Sequence, residues 1–157
     1  IVMEKSKDAV WHYDSKEQET LAQHIIGLEK EALNKWFNGD TSGYDRLWSR
    51  RDFSYFDAVV TERIDSHEQI ETVLATIEGK LFADSYDFKN PRVQFSDDMS
   101  MGVLTYQLHA KTTLIDMAYN CIEVYHKETD GQWHVVHSTW SFIRPMDMNF
   151  GKAEEVV

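Results

Sequence analysis

An α+β domain, with helices packed on one face of a mostly antiparallel sheet, is the fold class this sequence predicts. Three observations carry it. Helical periods fill the chain up to Leu81, strand-like alternation replaces them afterwards, and no repeat, low-complexity tract or interior linker divides the two regions.

Each element has its own local reason. Residues 15–38 read as one long helix: Ser15 and Gln18 have capping-box spacing, Leu21, Ile25, Leu28, Ala32 and Trp36 form a stripe, and Gly39 stops it. Ile26, Leu33 and Phe37 widen that stripe, so the helix must lie across something as large as a sheet. A turn at Asp40–Gly43 leads into a short helix with Tyr44, Leu47 and Trp48. Asp52 to Val60 alternates aromatic and polar residues, as a short strand with its return would. Ser66 and Gln69 repeat the capping-box spacing ahead of Ile70, Val73, Leu74, Ile77 and Leu81, with Gly79 near the end of this third helix. Four strands follow at roughly 85–97, 101–113, 117–128 and 132–144, the last two forming a hairpin across Asp130-Gly131. The domain is expected to span 15–145, with an N-terminal arm at 1–14 and an acidic tail at 146–157.

Composition narrows the function classes. The 157 residues carry 27 acidic and 16 basic side chains, a formal charge of −11, so a nucleic-acid partner, which needs clustered Lys and Arg, is excluded. With 42% hydrophobic and 13% aromatic residues the chain can build a core without staples. No apolar run approaches the ~20 residues of a membrane span, and a membrane partner is not expected. The lone Cys121 rules out an intrachain disulfide; a cytoplasmic location is the default, and a start at Ile1 leaves room for a removed leader.

Three strings, LEKEALNKWFNGD at 28–40, DFSYFDAVVTERIDSHEQI at 52–70 and EVYHKETDGQWHVVHSTWS at 123–141, resemble the nuclear transport factor 2-like superfamily. The likeness extends to its SnoaL-like and ketosteroid-isomerase-like branches. The third string is similar to the terminal hairpin of the calcium/calmodulin-dependent kinase II association domain. The resemblance implies a cone-shaped fold in which a strongly curved sheet wraps the long helix around an internal pocket, and it covers about residues 15–145. That cone serves isomerases, cyclases, dehydratases and oligomerisation hubs alike, so chemistry must come from the residues.

Alternation along the last strand puts Trp133, Val135, His137 and Thr139 on one face and His134, Val136, Ser138, Trp140 and Phe142 on the other. The resemblance implies that the Trp133 face looks inward, which makes His137 and Thr139 pocket residues. It leaves Trp140 and Phe142 outside, as the interface of a homodimer. A gapless match over PRVQFSDDMSMGVLTYQLHAK implies that Thr105, Gln107 and His109 face inward as well. Gln107 and Glu123 stand where the kinase association domain has arginines, so the pocket should reject carboxylate and phosphate ligands. Glu123 and His137 fit either an acid–base partnership in the pocket or a buried structural couple. Trp36, Trp48, Tyr55, Tyr119 and Tyr125 would form an aromatic wall or simply core.

Asp57 is the leading catalytic candidate, since it matches the general base of ketosteroid isomerases at the same distance from the third helix; a turn-capping aspartate is the other reading. The isomerase's oxyanion-donating tyrosine is replaced by Ala32, which argues against steroid isomerisation. His134 and His137 point to opposite faces of one strand and cannot share a metal, and neither metal nor cofactor is expected. Two functions stay open. One is a pocket protein for an uncharged small organic ligand, with proton transfer of the isomerase, cyclase or dehydratase type by Asp57 and His137. The other is a noncatalytic homo-oligomeric association module working through the outer sheet face.

Overall fold

The structure is a computed structural model, described over residues 11–144. The arm before Trp11 and the expected tail at 146–157 lie outside the described residues. Ser15 Oγ accepts the Gln18 N–H at 3.1 Å and opens helix α1 (Lys16–Trp36). Its chain leaves through Gly39 at a φ of 75°, where a Cβ would come within 2.6 Å of the Phe82 ring. The short helix α2 (Ser42–Leu47) follows. Helix α3 (His67–Ile77) is capped as the spacing predicts, Ser66 Oγ accepting from the Gln69 N–H at 3.2 Å. Asp45 and Glu71 flank His67 Nε2 at 2.9 and 3.2 Å, and Arg50 bridges both carboxylates, so charge ties α3 to α2. Among the described residues no helix is long and apolar enough to cross a membrane.

Five strands form one sheet: β1 (Ser54–Asp57), β2 (Asp87–Phe95), β3 (Met101–Lys111), β4 (Asp116–Lys127) and β5 (Trp133–Phe142), in the order β1-β5-β4-β3-β2. β2 to β5 are the antiparallel run the alternation predicts. β1 pairs in parallel with β5, Tyr55 opposite Ser138, and its expected return shrinks to a single bridge between Tyr55 and Ile64. The helix-facing side carries Leu104, Tyr106 and Leu108 of β3 and Tyr119, Cys121, Glu123 and Tyr125 of β4, all buried. Against it α1 sets Ala22, Ile25, Glu29, Ala32, Leu33 and Trp36. Each such Ile or Leu contributes about 1.5–3 kcal/mol by leaving water.

Two assignments of face are corrected here. In β5 the register slips by one residue, Val124 facing His137 but Tyr125 facing Val135, so that Val136 is an extra residue. Such a bulge reverses the parity beyond it. Ser138 and Trp140 therefore turn inward, Trp140 being 3% exposed, while His137 and Thr139 turn outward. Phe142 is no outer aromatic either, since it packs on Tyr119 with ring centroids 5.3 Å apart. In β3 the buried set is Leu104, Tyr106 and Leu108, so Thr105, Gln107 and His109 lie on the opposite, outer face.

Candidate functional site

A cavity of about 260 Å³ lies between α3 and the helix-facing side of the sheet. Its floor is Ile70, Val73, Leu74 and Ile77, one face of α3 at helical spacing. Its opposite wall is aromatic: Trp36 from α1, Trp48 after α2, Tyr55 from β1, Tyr119 from β4 and Trp140 from β5. These rings brace one another. Trp48 meets Tyr55 at 5.3 Å, Tyr119 meets Trp140 edge-on at 5.8 Å, and Trp36 meets Trp140 at 6.2 Å. Val59 and Leu114, 64% and 51% exposed, form an apolar rim at the mouth. Larger hollows on the surface, about 470 Å³ beside Tyr86 and His109 and about 770 Å³ beside His24 and Trp133, are shallow and mixed in polarity.

Asp57 is the one charged side chain lining this cavity. Tyr55 and Asp57 are two residues apart on one strand and so share a face, which lets the Tyr55 hydroxyl donate to Asp57 Oδ2 at 2.5 Å. Asp57 Oδ1 accepts the Val59 N–H at 3.0 Å. Each oxygen keeps a lone pair for a third donor. Burial, reinforced by the neighbouring Asp57 charge, holds the Tyr55 hydroxyl well above the usual phenol range, so it stays a donor. Burial acts the same way on Tyr119, again with help from Asp57. The indole N–H groups of Trp36 and Trp48 are buried and lack a protein acceptor.

Behind this aromatic wall lies a second group of acids, sealed from solvent. Glu123 is fully buried, its Oε1 accepting from Ser138 Oγ at 2.6 Å and from Trp140 Nε1 at 2.9 Å. Glu29 is fully buried too, and burial pushes its carboxyl up to about 8. The Tyr44, Tyr125 and Tyr106 hydroxyls lie close enough to pull that value back down, though no pair among them reaches hydrogen-bond geometry. Burial and the nearby Glu29 raise Glu123 as well, and burial followed by Glu123 raises the Cys121 thiol, which is inert packing.

Of the residues singled out by sequence, the fold gathers Trp36, Trp48, Tyr55, Asp57 and Tyr119 into the cavity, and Trp140 joins them. Glu123 and Tyr125 face inward but lie in the sealed acid group instead. Glu123 and His137 do not meet. His137 Nδ1 lies 2.7 Å from Ser54 Oγ and its Nε2 2.6 Å from Thr139 Oγ1, all on the outer face beneath the Phe56 ring. Burial lowers the His137 imidazole below its usual range, leaving it neutral between two hydroxyls. Gln107 donates to Asn120 at 2.9 Å on the same outer face, Thr105 lines a hollow beside them, and His109 borders the cleft near Tyr86. Glu29 was missed, although an acid within the stripe from Ile25 to Ala32 is a legible signal.

No known family model matches the sequence, and no curated protein does. Solved structures do match. The chain is 30% identical to a protein of Parabacteroides distasonis ATCC 8503 named as a candidate ketosteroid isomerase, over 85% of this chain and 96% of that one, with a TM-score of 0.69. An NTF2-like protein of unknown function from Pseudomonas putida KT2440 aligns at 15% identity over 84% and 92% of the two chains, with a TM-score of 0.68. A protein of Exiguobacterium sibiricum 255-15, named as a candidate calcium/calmodulin-dependent kinase II association domain, aligns at 15% identity over 86% and 99%, with a TM-score of 0.59. The chain belongs to the nuclear transport factor 2-like superfamily.

Proposed function

We propose that the protein binds a small, mainly apolar organic molecule in the cavity beneath α3 and moves a proton on it with Asp57. The carrying observation is the Tyr55–Asp57 pair, held at 2.5 Å on the wall of an otherwise apolar cavity of about 260 Å³. At roughly 30 Å³ for a water-sized group, the ligand has on the order of ten non-hydrogen atoms. Asp57 accepts the proton, and Tyr55 holds the carboxylate in one orientation. With no Arg, Lys or His in the lining, anionic ligands are excluded. His137 lies on the other side of the sheet and takes no part.

The test is native mass spectrometry of freshly purified protein, followed by incubation of the released ligand in D2O with each variant. Wild type is expected to carry the ligand and exchange a carbon-bound acidic proton of it, and Asp57→Asn to slow that exchange about 100-fold. A stoichiometric ligand exchanged equally fast by Asp57→Asn would refute the assignment of the base.

A second reading, homodimerisation through the outer face, is favoured by Met101, Ile122 and Phe56, which are 38%, 39% and 47% exposed there, with Ile122 at the middle of the central strand. These residues replace Trp140 and Phe142 as the interface. Sedimentation should find a dimer that Ile122→Glu converts to monomer; an unchanged mass would remove this reading.

A further inference from the structure

We infer that the cavity selects organic cations, so that its ligand is a small amine carried as its ammonium form. This rests on the pocket reading above and names its ligand class. Asp57 is a carboxylate without a counter-ion: its hydrogen bonds come from the Tyr55 hydroxyl and the Val59 N–H, and no Lys, Arg or His forms an ion pair with it among the described residues. Around that unpaired charge stand the rings of Trp36, Trp140, Tyr55 and Tyr119, of types whose faces attract cations most strongly, while Trp48 is stacked on Tyr44 and Phe53. A neutral ligand would use the apolar floor of α3 and leave the carboxylate's charge uncompensated. An anion would meet Asp57 with no cationic side chain in the lining to offset the repulsion. An alkylammonium answers the carboxylate, the rings and the floor: its N–H groups reach the free lone pairs of Asp57, its charge lies against the rings, and its carbon body covers Ile70, Leu74 and Ile77. The net charge of −11 adds a field that draws cations toward the protein.

Three molecules with one skeleton separate the possibilities: 2-phenylethylammonium, 2-phenylethanol and phenylacetate, titrated at pH 7 with intrinsic tryptophan fluorescence as the readout, since Trp36, Trp48 and Trp140 line the cavity. The ammonium should bind about tenfold more tightly than the alcohol, and phenylacetate should show no saturable change. Asp57→Asn should abolish the tenfold preference of ammonium over alcohol. Tyr119→Leu, which keeps the wall apolar but removes a ring, should cut the ammonium's advantage over the alcohol several-fold, so the proposal stays testable even where Asp57→Asn does not fold. Equal affinity of ammonium and alcohol for wild type would overturn the cation selectivity while leaving the pocket reading standing. No response to any of the three would overturn both.

Discussion

The interior has two ends built from the same materials and put to opposite uses. At the α3 end a carboxylate and a tyrosine, Asp57 and Tyr55, line a cavity whose mouth opens between Val59 and Leu114. At the other end two carboxylates and three tyrosines, Glu29, Glu123, Tyr44, Tyr106 and Tyr125, are packed out of reach of solvent. Trp140 stands between them, its ring in the cavity wall and its N–H on Glu123. The difference teaches that surroundings decide what an acid can do. A carboxylate on a cavity wall can take up a ligand's proton or charge, whereas one sealed with no cation nearby stays protonated.

The largest expected effect comes from the sealed end. The Glu29 carboxyl stands at about 8 in the folded protein against 4.5 when unfolded, so between those values the native state holds a proton that the unfolded state has released. Its stabilising contribution is complete below pH 4.5, falls as pH rises, and is gone above about pH 8. Glu123, raised by the same burial, acts in the same direction. Asp40, Asp98 and Asp130, lowered by hydrogen bonds from neighbouring residues, act oppositely and only in acid. Urea unfolding at pH 5, 7 and 9 should show stability falling with pH, and Glu29→Gln should flatten that slope. A flat wild-type profile would mean that the two ends do not differ as described.

Next comes the partition itself. Trp140→Ala should cost about 3–5 kcal/mol in chemical denaturation, because it empties a buried site and strips Glu123 of a donor. A Trp140 on the outer face would cost less than about 0.5 kcal/mol. At the cavity end Tyr55→Phe should cost about 1 kcal/mol of stability and slow proton exchange on the bound ligand about tenfold, since Asp57 loses the hydroxyl that orients it. Smallest of all, Gln107→Ala on the outer face should stay within about 0.5 kcal/mol and leave ligand affinity unchanged.

Much of this was legible in the chain. Ser15 with Gln18 and Ser66 with Gln69 announce both capped helices through donor–acceptor spacing, a local property that survives folding. Asp57, placed by the resemblance to ketosteroid isomerases, and Trp36, Trp48, Tyr55 and Tyr119, read as an aromatic wall or as core, all line the cavity. The β5 assignments failed at a bulge, since one extra residue at Val136 inverts His137, Thr139, Trp140 and Phe142 together and no alternation reveals it. Thr105, Gln107 and His109 were misplaced for a different reason: Leu104, Tyr106 and Leu108 mark the buried face by themselves, and the gapless alignment contradicted them. The parallel pairing of β1 with β5 joins residues some eighty positions apart and leaves no local trace.

Filling the cavity beneath α3 shows directly whether a ligand binds there. Leu74 is 4% exposed and lines the floor, so Leu74→Trp occupies the space while leaving Asp57 and the outer face untouched. Calorimetric titration of both proteins with 2-phenylethylammonium should give saturable heat for wild type and none for Leu74→Trp. Equal binding by the two would place the ligand outside this cavity.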